Sequence, residues 1–209
     1  MENKNDVKIM LKEAGILFAI TLVAGLLLGF IYQLTKEPIH QQEILAINKA
    51  CAAVFDSADS FDEITFAPDS QLLDTMQETG VKLGTVYQAK DSSGSLLGYV
   101  IQSTSSEGYG GNITLYVGVA LDGTLNDISI LTISETAGLG MQAGDVLVPQ
   151  FHDKQVDTFT YTKTGSTSDS EIDAISGATI TTKAVTNAVN AGLAAAKQLI
   201  AMDGGAVNE

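Results

Sequence analysis

Between Glu13 and Lys36 the chain runs for 22 residues without a charge, AGILFAITLVAGLLLGFIYQLT. About 20 apolar residues are enough for a helix to cross the hydrocarbon core of a bilayer, so this stretch commits one end of the 209-residue chain to a membrane. A cleaved signal peptide fits less well, because its apolar region is shorter and is followed by a small-x-small cleavage site. Lys4, Lys8 and Lys12 precede the stretch and only Lys36 follows it closely. Positive flanks stay in the cytoplasm. The expected topology is a single pass through the cell membrane, with residues 1–13 cytoplasmic, a transmembrane helix over 14–35 and the rest extracytoplasmic.

Charge then bounds what the exterior part can do. The chain has 11 lysines, no arginine and 25 acids, for a formal net charge of −14. The three lysines within the first 35 residues are balanced by Glu2, Asp6 and Glu13, so the whole excess falls outside the membrane. Nucleic acid is a poor candidate partner and none is expected, because binding it depends on basic side chains that neutralise phosphates. The single cysteine, Cys51, has no partner for an intrachain disulfide and no neighbouring Cys or His for a zinc, iron–sulfur or haem site. It reads as a small buried apolar residue. His40 and His152 stand without companions at metal-ligand spacing, so no metal site is expected. Redox chemistry on this chain therefore needs an organic cofactor.

Residues 36–80 read as a connecting helix and loop. Ile44, Ile47 and Cys51 fall at helical spacing within IHQQEILAINKACAAVF, and the acidic stretch from 56 to 80 is weakly patterned. The period then changes to two. GTVYQA, LLGYVIQST, ITLYVGVAL and LNDISILTI are β-branched and aromatic runs separated by the turn signals KDSSGS and LDGT, a pattern of antiparallel hairpins. DTFTYTKTG can add a further strand. A helix over about 183–201 closes the chain, with Val185, Val189, Gly192 and Ala196 on a face suited to close packing against something flat. The fold class is α+β: an antiparallel sheet with flanking helices, formed mainly by residues 81–209 and preceded by one N-terminal transmembrane helix.

Three short motifs carry the functional signal. SGATITT, Ser176 to Thr182, crowds four hydroxyls and two small residues just before a helix expected to start near Thr181 or Thr182. A helix N-terminus is a ready anion site, and Gly177 and Ala178 leave room for a phosphate, held by backbone N–H groups, hydroxyls and Lys183. A plain Ser or Thr cap accounts for the same spacing. GYGG sets Gly108, Gly110 and Gly111 around Tyr109 before a strand, more glycine than a hairpin requires, although a bulge or loop explains it too. SETAGLG, Ser134 to Gly140, ends a strand with Glu135, Thr136 and the pair Gly138 and Gly140 flanking Leu139. Such a loop lets backbone approach a flat ligand while Leu139 packs on it; a simple turn is the alternative.

Taken in order, the N-terminal span, GYGG, SETAGLG and DAISGAT resemble the FMN-binding subunits of membrane redox pumps. That family includes the G subunit of the Rnf complex and the C subunit of the sodium-translocating NADH:quinone reductase. The resemblance covers nearly the whole chain, and compactness favours the Rnf type. It implies FMN joined through its phosphate to the last residue of an Asp-x-x-Ser/Thr-Gly-Ala-Thr pattern, here Asp173, Ser176, Gly177, Ala178 and Thr179. A flavin transferase would make that bond, with Thr179 as the attachment point. The resemblance further implies electron relay within a complex that couples ferredoxin–NAD oxidoreduction to sodium or proton movement, with the other membrane subunits as partners. Glu135, Thr136, Gly138, Leu139, Gly140, Tyr109 and Gly110 complete the implied cofactor site. The family commonly has proline where this chain has Ala137, a change that removes no reactive group. A non-redox, membrane-anchored envelope binding protein is the competing class.

Overall fold

A computed structural model of the chain describes residues 4–206 and separates into two compact units, Met1–Leu45 and Ala46–Glu209. The first unit is helical. Helix α1 (Lys4–Val54) contains the uncharged stretch and is the one helix among the described residues long and apolar enough to cross a membrane. Leu17, Phe18, Leu26 and Phe30 are all exposed, as on a helix that is apolar on every side and meets lipid. The hydroxyls of Thr21 and Thr35 donate to the carbonyls of Leu17 and Ile31 at 3.1 and 3.0 Å, which satisfies them without water. Pro38 removes one helical amide donor, and α1 nevertheless continues to Val54.

The second unit is built on a five-stranded antiparallel meander. Its strands are β1 (Ser60–Ile64), β2 (Val81–Lys90), β3 (Leu96–Ser105), β4 (Ile113–Ala120) and β5 (Leu125–Thr132), hydrogen-bonded in chain order. The four period-two runs of the sequence are β2 to β5. The stretch from 56 to 80 contributes more than connection, since it holds edge strand β1 and helix α2 (Ser70–Glu78). In β1 the alternation is broken by Asp62 and Glu63. An edge strand tolerates charge, and Asp62 accepts a 2.8 Å bond from Lys90 of β2. In α2, Asp69 caps the helix by accepting from the Leu72 amide at 2.8 Å, and Leu72 and Met76, four residues apart, turn inward.

Both faces of the sheet are covered. On one, Tyr99, Ile101, Leu115, Val117 and Val119 join the long C-terminal helix α5 (Thr179–Ala206) through Val185, Val189 and Ala196, all fully buried. Gly192 permits the approach: a Cβ there would lie 2.7 Å from Val117 Cγ2. The same core takes in the short helices α3 (Ala143–Val146) and α4 (Val148–Phe151), with the Phe151 and Phe159 rings edge to face at 4.9 Å. On the other face, Ala50, Cys51, Val54 and Phe55 from the end of α1 pack on Ala89, Val100 and Tyr116. Cys51 is thus buried as a small apolar residue. Gly118 admits the helix end, because a Cβ there would lie 2.5 Å from the Val54 carbonyl oxygen. Burial, followed by the neighbouring Tyr87 and Cys51, pushes the Tyr116 phenol above its ordinary pKa.

A small parallel pair, β6 (Thr160–Thr162) and β7 (Glu171–Asp173), leads into α5. The helix starts at Thr179, earlier than the expected 181–183. Its β-branched first turn is a poor helix former, but hydrogen bonds to the residues just before it secure it. Thr182 donates its hydroxyl to the Ala178 carbonyl at 3.0 Å and accepts from the Ile175 amide at 3.1 Å. The Thr182 amide also bonds the Ala178 carbonyl at 3.0 Å, so the chain enters the helix at Ala178 and not at a hydroxyl-bearing cap.

Candidate functional site

Three segments far apart in sequence converge on one cleft of about 490 Å³. Its walls are Tyr109, Glu135, Thr136, Leu139, Gly140 and the run from Gly177 to Thr181. The loop after β3 brings Tyr109, the loop after β5 brings SETAGLG, and the entry to α5 brings SGATITT. The folding reason is local. Gly138 and Gly177 hold φ of +75°, a conformation that L side chains rarely adopt, so the chain can reverse at both points. A Cβ on Gly177 would sit 3.1 Å from Leu139 Cδ2, which brings the second and third motifs into contact.

Glu135 joins the segments. One carboxylate oxygen accepts from the Gly110 amide at 3.0 Å and the other from the Thr181 hydroxyl at 2.6 Å. The Glu135 amide itself donates to Met141 Sδ at 3.4 Å. Around this core the rim is apolar and open, with Tyr109 71 %, Ile180 52 % and Leu139 39 % exposed. Large apolar side chains held at a cleft edge suit a flat, partly apolar ligand. At the opposite chemical extreme, the Thr179, Ile180 and Thr181 amides occupy the first turn of a 28-residue helix. First-turn amides have no intrahelical acceptor, and the helix dipole points its positive end there. The cleft thus combines the N-terminus of a long helix with an apolar edge.

The hydroxyls of SGATITT do not have equal access. Thr181 and Thr182 are 1 % and 0 % exposed and both are hydrogen-bonded within the protein. Thr179 lines the cleft and is half-buried, whereas Ser176 is exposed and outside the lining. Of the other residues singled out in the sequence, Glu135, Thr136, Leu139, Gly140, Tyr109, Gly177 and Ala178 meet in the cleft, and Gly110, outside its lining, donates its amide to Glu135. Gly138 serves the turn. Asp173 lies in β7, where its carboxylate accepts from the Ser166 amide at 2.6 Å and Gln150 brackets its backbone. Ile180 and Thr181 also line the cleft; both lie within SGATITT, but neither is among the residues that the resemblance implies for the cofactor site.

Residues 108–194 match the family model of the FMN-binding domain, and residues 1–54 match that of the RnfG N-terminal region. The G subunit of the Na(+)-translocating ferredoxin:NAD(+) oxidoreductase complex of Acetobacterium woodii is 32 % identical over 200 residues, which cover 91 % of this chain and 95 % of that one. The chain belongs to the family of Rnf complex G subunits. A second member, the G subunit of the proton-translocating ferredoxin:NAD(+) oxidoreductase complex of Clostridium ljungdahlii, is 31 % identical over 85 % of this chain and 90 % of its own. The crystal structure of Shewanella oneidensis NqrC shares the fold, with a TM-score of 0.51 over 73 % of this chain and 74 % of that one at 20 % identity. The matched FMN-binding domain contains all three motifs and the whole cleft, which stands against the reading as a non-redox binding protein.

Proposed function

We propose that the chain carries FMN as a phosphoester on Thr179 and relays electrons in an Rnf-type ferredoxin–NAD oxidoreductase that moves sodium or protons. The observation that supports the attachment most directly is the contrast among neighbouring hydroxyls. Thr179 opens onto the cleft at the first position of α5, while Thr181 and Thr182 are buried and already bonded. A phosphate on Thr179 would meet the free amides of the first helical turn and the positive end of the dipole. In a protein without arginine, those groups take over the anion-holding role.

The residues present fit the rest of the cofactor. Leu139, Tyr109 and Ile180 offer apolar surface to a ring, and Gly140 keeps the wall thin, since a Cβ there would lie 2.5 Å from Thr181 Oγ1. When bound, FMN supplies the one- or two-electron chemistry, and the protein sets its position, exclusion from water and local charge. The tether keeps the cofactor from being lost outside the cell. A flavin transferase would form the bond, and the exposed Ser176 and Gly177 leave the approach to Thr179 open. The domain beyond Lys36 would be extracytoplasmic, held at the membrane by α1 and by the other subunits of the complex.

Thr179→Ala tests the assignment. The expected product is folded protein without flavin absorbance after denaturation, against wild type in which flavin comigrates with the chain. Peptide mapping that finds the flavin on Thr181 or Thr182 overturns it.

A further inference from the structure

We propose that Glu135 is a positioning residue, a carboxylate clasp that fixes the cleft by holding GYGG and the start of α5 together, and that its charge lowers the potential of the bound flavin. The proposal deepens the FMN reading and rests on it. Each oxygen of Glu135 already accepts a hydrogen bond from the protein, one from the Gly110 amide and one from the Thr181 hydroxyl. The surroundings are shaped for this side chain. A Cβ on Gly140 would lie 2.7 Å from Glu135 Cβ, and one on Gly108 would lie 2.9 Å from Oε1. Two glycines, one from GYGG and one from SETAGLG itself, therefore make the room that the carboxylate occupies.

The partners explain why an acid is used. An ionised carboxylate accepts at both oxygens and donates at neither, which matches an N–H donor at one oxygen and an O–H donor at the other. Hydrogen bonds to an ionised acceptor are the stronger class. Through them Glu135 sets the entry of the Tyr109 loop and the first turn of α5, where Thr179 stands two residues before Thr181. Glu135 also lines the cleft. A negative charge in the cleft wall would disfavour the reduced form of a flavin bound there, which gains electrons.

Three variants of the purified full-length chain test this. In Glu135→Ala the Gly110 amide should exchange with solvent about tenfold faster or more, given the usual strength of a bond to a charged group, and the labelled fraction should fall. Glu135→Gln can keep both contacts, with its oxygen accepting from Gly110 and its amide donating to Thr181. It should hold Gly110 exchange within about twofold of wild type, retain labelling and raise the flavin potential. Should Glu135→Ala loosen the β4 core amides as well, Glu135→Asp, one methylene shorter, takes its place. Unchanged Gly110 exchange in the shortened variants, or a Gln variant that loses labelling as Ala does, overturns the clasp; an unchanged potential in Glu135→Gln overturns the charge effect. Repeating the exchange in Thr179→Ala, which carries no flavin on the FMN reading, tests the clasp independently of the cofactor. Wild-type protein without flavin would overturn the FMN reading alone.

Discussion

Leu139 shows how much one side chain contributes to a site of this kind. It sits between two glycines, is 39 % exposed, and reaches within contact distance of Gly177 at the entry to α5. It is not one of the hydroxyls near the attachment point, so holding the ring and attaching it should be separable. Leu139→Asp is expected to permit modification at Thr179 while changing the visible spectrum and lowering the flavin potential, because the new carboxylate opposes added negative charge. Spectra and potentials equal to wild type would make the SETAGLG loop remote from the ring. The three segments that line the cleft were legible in the sequence, since the glycines, the acid and the hydroxyls are unusual company for plain turns. The part played by Glu135 was not. Both its hydrogen-bond partners are distant in the chain, at 25 and 46 residues, and no local pattern encodes such a pairing.

Among the elements, α5 and β4 show the close packing that the period of the sequence anticipated. The face with Val185, Val189, Gly192 and Ala196 does meet the sheet, and Gly192 faces Val117 where no Cβ fits without movement. Gly192→Ala should gain about 1 kcal/mol of helix propensity and lose about 1–3 kcal/mol to overpacking. The net expectation is a lower Tm for the domain. Gly144 in α3 provides the contrast, with nothing within 4 Å of its Cβ position and a negative φ. Gly144→Ala should stabilise by about 0.4–1 kcal/mol. Thermal melts of the two variants read the difference, and a Tm for Gly192→Ala above that of Gly144→Ala would falsify the close-packing account. Strand β1 and helix α2 were less legible because edge position and length worked against them: five residues with two acids, and nine residues with two buried side chains.

For the whole molecule, the lysine asymmetry about α1 makes a directional statement. A reporter fused after Glu209 should be active if it works only after export and silent if it works only in the cytoplasm. Activity of the cytoplasmic reporter alone would remove both the orientation and the exterior-carrier proposal. The −14 charge, carried wholly by residues after 35, bears on association with charged partners. Such association should weaken or strengthen smoothly with ionic strength according to the partner's sign.

The amino-acid sequence by itself determined the apolar span, the four central strands, the C-terminal helix and the three motifs. Each of these is written in a local period or composition: an uncharged run of 22 residues, alternation by two, a spacing near four, glycine beside hydroxyl. Only the tertiary structure decided the start of α5 at Thr179, the unequal exposure of three neighbouring threonines and the bridge from Gly110 to Thr181 through Glu135. The bonds of Glu135 span 25 and 46 residues, whereas those of Thr182 reach only four and seven residues back and matter through the packing around them. Helix propensity disfavours the β-branched turn that opens α5, and the hydrogen bonds of Thr181 to Glu135 and of Thr182 to Ala178 override it.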